Sequence, residues 1–260
     1  MTGVTGVTGV RALASQGPTR SGDPTLVIAH RGASAYRPEN TLAAYELAIE
    51  MGADMIEIDL HRTRDGAIVV THDEDLSGLG GRGEIAAATL SEVRSLDAGR
   101  GERVPTLDEV LERFGRRIPF NLELKRGAAG PYEGLEAAAL EAVERRGLLE
   151  RTLFSSFYDD VLARLRALSA RARIALLLSR HHPQGALERA ARLGAEAVNP
   201  ERRLATPALV QAAHGAGLDV HVFTVDADEE LRRLVELGLD GIFTNVPDRL
   251  RRLVPAPAEP

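Results

Sequence analysis

Two stretches of the chain place ionisable side chains where a strand would bring them together. In Met55-Ile-Glu-Ile-Asp-Leu-His61, Glu57, Asp59 and His61 share one face, and Ile56, Ile58 and Leu60 share the other, because side chains on a strand alternate with a period of two. Ile118–Lys125 repeats the pattern, with Asn121, Glu123 and Lys125 opposite Phe120, Leu122 and Leu124. Carboxylates two apart on one face lie ~7 Å apart. They can converge on one cation, which relieves the repulsion between like charges. His30-Arg31 and His72-Asp73 lie close by in the chain. Hard oxygen ligands without thiolates suit Mg²⁺ or Ca²⁺. Imidazoles supply acid and base near neutral pH. Arginine and lysine beside a cation suit a phosphate. Together these groups point to metal-assisted hydrolysis of a phosphate ester.

A regular scaffold has to carry them. Thr25–Arg31 reads as a first buried strand, and Pro38-Glu-Asn-Thr41 leads into a helix that Thr41 caps and Gly52 stops. Met55–His61 follows. Arg64-Asp-Gly66 signals a turn, and Ala67–Val70 returns as a hairpin. The glycine-rich stretch Leu76–Glu102, with one short helical pattern at Leu90–Leu96, reads as an inserted lid or small subdomain. A helix is expected over Thr106–Phe114. Further strands are expected at Thr152–Phe157, Ile174–Leu178, Ala197–Asn199, Val220–Val225 and Gly241–Thr244, with helices between them. Four joints share one form: Gly52-Ala-Asp54, Gly194-Ala-Glu196, Gly217-Leu-Asp219 and Gly238-Leu-Asp240. Each is a helix-stopping glycine, one residue, an acid, then a strand. About eight strands alternating with helices favour an α/β fold of the (β/α)₈ TIM-barrel kind, with a small insertion after strand two. No glycine-rich phosphate fingerprint follows a strand, which disfavours a nucleotide-binding open sheet. In a barrel the active site lies at the C-terminal strand ends, where His30, Arg31, Glu57, Asp59, His61, Glu123 and Lys125 collect.

Composition narrows the class. The chain has 260 residues, 44% hydrophobic and 27% charged, within the ordinary globular range. It contains no cysteine, so disulfides and thiolate metal sites are excluded. A formal net charge of −6 without a long basic stripe argues against nucleic acid as a partner. No apolar run approaches the ~18 residues that span a membrane. Residues 1–23 carry a Thr-Gly-Val repeat and no hydrophobic signal core, so they read as a disordered leader. Residues 24–254 read as the barrel, with the insertion at about 76–104, and 255–260 as a disordered tail. The cytoplasm is the expected location.

His30-Arg-Gly32, Pro38-Glu-Asn-Thr41, Glu57-x-Asp59, His72-Asp73 and Glu123-x-Lys125 occur in one order at natural spacing. That ordered set resembles the signature of the glycerophosphodiester phosphodiesterase family, over Thr25 to about Leu253. Pro105-Thr-Leu107, Ser155-Ser-Phe157 and Thr224-Val225 fit as well. The resemblance implies a TIM barrel and release of glycerol 3-phosphate and an alcohol from a small glycerophosphodiester, with no stable membrane association. It implies that Glu57, Asp59 and Glu123 hold one divalent cation, Mg²⁺ or Ca²⁺. It also implies that His30 and His72 are the acid/base pair, and that Arg31 and Lys125 bind phosphate with Glu39, Asn40 and His61 in support. One departure stands out: family members often carry Trp and Asn around strand seven, where this chain has Phe223 and Asp226.

Other readings remain beside this one. A lysophospholipase D-like or phosphatidylinositol-type phosphodiesterase would need a greasy mouth, which Leu76–Glu102 does not offer. A barrel that only binds a phosphate ligand would use the same residues without turnover. His61 could simply orient Asp59, and Glu39 is expected to brace the turn or Arg31. His181-His182 reads as loop, because adjacent side chains do not face each other. His214 and His221 lack acidic companions at metal spacing. Ser155-Ser156 has no nucleophile elbow around it and is expected to line strand four. Phe157 and Phe223 wall the pocket or belong to the core.

Overall fold

The inverted strands are the inner wall of a closed barrel. The structure is a computed structural model and describes residues 24–181 and 183–255. The expected leader at 1–23, His182 and the tail from 256 lie outside the described residues. Eight parallel strands form the barrel: β1 (Leu26–His30), β2 (Met55–Arg62), β3 (Phe120–Leu124), β4 (Thr152–Ser156), β5 (Arg173–Leu178), β6 (Ala197–Pro200), β7 (Asp219–Val222) and β8 (Gly241–Thr244). Each pairs with the next, and β1 also pairs with β8, Leu26 opposite Gly241, which closes the ring. Eight helices follow the strands in turn. They are α1 (Leu42–Glu50), α2 (Leu107–Phe114), α3 (Leu135–Glu144), α4 (Asp159–Leu168), α5 (Ala186–Leu193), α6 (Pro207–Gly215), α7 (Asp228–Glu236) and α8 (Pro247–Arg251).

The apolar faces of the strands pack outward on those helices. Ile56, Ile58, Leu60, Leu122 and Leu124 belong with Tyr45, Leu111, Phe114 and Leu135 to one continuous core. Burying each such side chain contributes about 1.5–3 kcal/mol. Packing of this size holds β2 and β3 in register while their other face carries carboxylates. The lower barrel interior is closed by two small apolar groups: Leu26, Ile28, Met55 and Phe243, and Leu153, Ala175 and Ala197. A Cβ on Gly241 would lie 2.8 Å from the ring of His221 and 2.9 Å from Ile28, so the interior leaves no room there.

The helix starts follow local chemistry. Thr41 caps α1, accepting from Ala44 N, and Thr106 with Glu109 forms a capping box at α2. The repeated acid joints are barrel fasteners. Asp54 accepts from Val27 N at 2.8 Å and Asp240 from Val220 N at 2.7 Å. Glu196 pairs with Arg173 at 2.8 Å. Each ties the start of one strand to the strand before it.

Ile68–Val70 runs back antiparallel on β2, Val70 opposite Leu60, as the turn signal predicts. The expected insertion folds as short turns at Leu76–Leu79 and Ile85–Ala87 and a helix at Leu90–Arg94. It has an apolar cluster of its own: Val69, Leu76, Ile85, Ala88, Val93 and Val104. No helix among the described residues is long and apolar enough to cross a membrane.

Candidate active site

Register brings the predicted residues to one rim. His30 stands opposite Glu57 across β1 and β2, and Asp59 opposite Glu123 across β2 and β3. One oxygen each from Glu57, Asp59 and Glu123 falls within 4.8 Å of the others, and all three residues are buried. Lys125 Nζ lies 2.8 Å from Asp59 Oδ1 and 2.6 Å from Glu123 Oε1. Arg31 Nε lies 3.1 Å from Asp59 Oδ2, and its Nη1 2.9 Å from Glu39 Oε2. Glu39 is half-exposed and bonds the Arg31 guanidinium through both carboxylate oxygens.

The turn after β1 is built for this contact. Arg31 adopts φ 58° and Asn40 φ 55°, both left-handed, an arrangement of non-glycine residues that costs energy and clusters at functional sites. Arg31 N donates to the Glu57 side chain, with Oε2 at 3.0 Å, and lies 3.0 Å from the Glu57 carbonyl. Asn40 Nδ2 donates to Asp59 Oδ2 at 2.8 Å, while Tyr45 O–H donates to Asn40 Oδ1 at 3.1 Å. Gly32, at φ 83°, lets α1 start against this turn: a Cβ there would lie 2.7 Å from the backbone carbon of Ala44.

The carboxylates are not equivalent. Burial first, then Asp59 and Glu123, push the Glu57 carboxyl well above its ordinary range. Burial raises Glu123 too, with Lys125 opposing. For Asp59 burial is outweighed by Lys125 and Arg31, which hold it low. The same two acids, against burial, raise the Lys125 ammonium. Among the described residues, Glu57 Oε1 is buried without a hydrogen-bond partner. A buried carboxyl oxygen with no donor, beside two further carboxylates and no sulfur ligand, fits a hard divalent cation.

His30 ends β1 with Nε2 4.0 Å from Glu57 Oε2 and Nδ1 2.8 Å from Asn245 Oδ1. Burial, then Arg31, lowers its pKa to about 4, so the ring is neutral at pH 7. His72 is half-exposed, and its Nδ1 lies 2.7 Å from Asp73 Oδ1. Both ring nitrogens of His61 are engaged away from Asp59. Its Nε2 lies 3.0 Å from the His72 carbonyl and its Nδ1 2.7 Å from Tyr132 Oη, so it anchors His72. Burial lowers His61 to about 4. A cavity of about 400 Å³ opens beside these groups, lined by His72, Glu123, Lys125, Arg126, Phe157 and Tyr158 among others. Phe223 packs edge-on to Phe157, centroids 5.8 Å apart.

Asn245, Asp226, Ser34, Tyr45 and Tyr132 complete the site without having been picked out as parts of it. In the sequence Asp226 stands out only as a departure from the family pattern. Asn245 had a signal, because it directly follows β8 at the C-terminal rim. Ser155 accepts from Asn121 Nδ2 at 2.8 Å and Ser156 donates to the Leu124 carbonyl at 2.8 Å, so both serines hold the wall, as expected. His214 does find an acid, Asp240, at 2.8 Å, in the fastener between β7 and β8. Among the described residues, His221 and Asn199 are buried in the barrel with no hydrogen-bond partner on their polar side-chain atoms. His181 sits in a turn.

Residues 30–249 match the model of the glycerophosphoryl diester phosphodiesterase family. The chain belongs to this family. A glycerophosphodiester phosphodiesterase of Caldanaerobacter subterraneus subsp. tengcongensis is 38% identical over 242 residues, covering 88% of this chain and 98% of the relative. One from Bacillus subtilis is 32% identical over 266 residues, covering 92% and 90%. Among solved structures, an Oleispira antarctica phosphodiesterase in complex with the product sn-glycerol-3-phosphate superposes with a TM-score of 0.78 at 32% identity, covering 89% of this chain and 96% of that one. The resemblance read from the short motifs and the barrel expected from the strand count both hold.

Proposed function

We propose that this family member is a metal-dependent phosphodiesterase that hydrolyses small glycerophosphodiesters to glycerol 3-phosphate and an alcohol such as choline, ethanolamine or glycerol. One observation carries the reading. Three buried carboxylates converge within 4.8 Å beside Arg31 and Lys125, with His30 and His72 on the same rim. The product bound to the Oleispira relative is the one this reaction would release.

Glu57, Asp59 and Glu123 would hold one divalent cation, Mg²⁺ or Ca²⁺. Such an ion supplies charge neutralisation for a phosphate oxygen and for the charge that builds on it. Arg31 and Lys125 orient the remaining phosphate oxygens, Arg31 braced by Glu39 and Asp59 by Asn40. His30, neutral at pH 7, takes the proton of the attacking hydroxyl at Nε2 as the oxygen–phosphorus bond forms. His72, held from below by His61, gives a proton to the departing alkoxide as the other phosphorus–oxygen bond breaks. Attack by water and attack by the neighbouring glycerol hydroxyl begin with the same proton transfer; ¹⁸O labelling and a search for a cyclic phosphate separate them. The half-exposed cavity takes the alcohol end of the substrate. A cytoplasmic location, with neither nucleic acid nor membrane as a stable partner, belongs to this reading.

The test is release of glycerol 3-phosphate from glycerophosphocholine in Mg²⁺ and in Ca²⁺, with EDTA as blank. Release that needs the cation and is lost in His30→Ala supports the assignment. Near-normal turnover by His30→Ala sinks the role of His30. No release with either ion, together with binding of glycerol 3-phosphate, favours a non-catalytic barrel; release from lysolipid alone favours the lysophospholipase D-like reading.

A further inference from the structure

We propose that Asp226 and Asn245 form a positioning pair that fixes the tautomer of His30, so that its Nε2 presents the lone pair. The proposal rests on the assignment of His30 as proton acceptor. The hydrogen bonds run without a gap from the loop after β7 to the end of β1. Asp226 Oδ1 accepts from Asn245 N at 2.8 Å and from Thr244 Oγ1 at 3.1 Å. Asp226 Oδ2 accepts from Asn245 Nδ2 at 2.7 Å. An ionised carboxylate only accepts. Asn245 must therefore turn its amino group to Asp226 and its carbonyl oxygen the other way. That oxygen meets His30 Nδ1 at 2.8 Å and the Ser34 hydroxyl at 2.7 Å. An amide oxygen also only accepts, so His30 Nδ1 carries the hydrogen. In the neutral ring the free lone pair then lies on Nε2, the nitrogen 4.0 Å from Glu57.

Neither residue can do this alone. The two orientations of an asparagine amide have the same shape, and only the bonding partners decide between them. With the amide reversed, its N–H would face Nδ1, the proton would move to Nε2, and the ring would have no acceptor to offer the reacting hydroxyl. Asp226 supplies the decision. Asn245 also keeps the negative charge one residue away from the imidazole, so the tautomer is set without a carboxylate placed directly on the ring, where it would favour imidazolium.

The test compares Asp226→Asn, Asn245→Asp and the exchanged pair carrying both. Asp226→Asn leaves the amide at 245 free to turn. We expect kcat for glycerol 3-phosphate release from glycerophosphocholine to fall about 10–100-fold with KM almost unchanged. The exchanged pair puts an acceptor carboxylate at 245 and an amide donor at 226; it should recover most of kcat at a pH that leaves the ring neutral, with the pH profile of kcat displaced upward because the carboxylate favours imidazolium. Long-range ¹H–¹⁵N NMR, with His30 identified by its disappearance in His30→Ala, reads which ring nitrogen is protonated. The expected result is Nδ1–H in the wild type and in the exchanged pair, and a mixture or Nε2–H in Asp226→Asn. Nε2–H in the wild type overturns the proposal, and this measurement stands even should Asp226→Asn not fold. An unchanged Nδ1–H tautomer in Asp226→Asn overturns it whatever the rate. Full activity of His30→Ala would instead fail the catalytic assignment of His30, leaving the tautomer result readable by itself.

Discussion

Glu57 offers a sharp test of the charge balance at the rim. Three buried carboxylates face two cations, Arg31 and Lys125, and Arg31 also serves Glu39, so at least one negative charge is uncompensated. Glu57 bears it: burial, Asp59 and Glu123 raise its carboxyl well above the usual range. In EDTA the folded protein therefore keeps a proton on Glu57 at pH values where the unfolded chain has lost it. The native state then binds more protons than the unfolded state, and stability falls as pH rises from about 4.3 through the folded-state pKa. A fully retained proton gives a slope of about 1.4 kcal/mol per pH unit, the most that one group can contribute. His30 and His61 run the other way. Burial lowers both to about 4, so their share of stability is complete above their unfolded value and is lost as pH falls toward 4. The raw pH curve mixes these signs; the difference between wild type and Glu57→Gln isolates Glu57. Urea unfolding of both proteins in EDTA should show Glu57→Gln gaining on the wild type as pH rises above about 4.3, by at most about 1.4 kcal/mol per pH unit. A saturating divalent cation should abolish the wild-type loss, because cation and proton compete for the same oxygens. Titration calorimetry at pH 6 in buffers of different ionisation enthalpy should register a proton released on binding. Parallel stability curves for the two proteins in EDTA, with no proton release, would refute the reasoning.

Lys125→Met removes an ammonium held at 2.8 Å from Asp59 and 2.6 Å from Glu123. It should cost about 3–5 kcal/mol in EDTA by denaturant unfolding, with part of the loss recovered in Mg²⁺ or Ca²⁺; an unchanged midpoint in EDTA would contradict the ion pairs. Gly32→Ala meets both a φ of 83° and the Ala44 backbone at 2.7 Å. A loss of at least about 2 kcal/mol is expected, together with turnover, since Arg31 must shift; a neutral result would mean that the turn relaxes freely. Tyr132→Phe deletes one hydrogen bond to His61. It should cost about 1 kcal/mol and lower kcat by its effect on His72, and the paired measurement fails the anchoring role if stability drops while kcat does not.

Much of the rim was legible because its residues sit in short motifs on adjacent strands. The alternation in Met55–His61 and Ile118–Lys125 is inverted relative to a sheet with a wet outer face, and the structure turns those polar faces inward. The acid joints marked the repeat without revealing its purpose; that Asp54 and Asp240 each fasten a neighbouring strand depends on backbone N–H groups, which sequence does not display. His61 depends on a contact of the same kind. Period-two reasoning puts it beside Asp59, but its ring reaches sideways to the His72 carbonyl and to Tyr132, 71 residues on, and no local pattern announces that contact. Tyr45 packs in the apolar core on α1, yet its hydroxyl sets the amide of Asn40.

The groups that escaped notice share a cause, and it bears on how the site works. Asn245 lies 215 residues from His30, and only the pairing of β1 with β8 makes them neighbours. β1 is thus the seam of the barrel. On one side it meets β2, where the carboxylates gather; on the other it meets β8, where Asn245 emerges. A histidine at the end of that strand is reached from both directions: Glu57 lies toward Nε2, and Asn245 bonds Nδ1. The two nitrogens of one ring are therefore governed by different parts of the chain, the reacting one by the carboxylate cluster and the anchored one by the closure of the fold. Loosening the seam should disturb the tautomer before it disturbs the cluster, because the contacts joining Glu57, Asp59 and Glu123 to Arg31 and Lys125 all arise from the first half of the barrel.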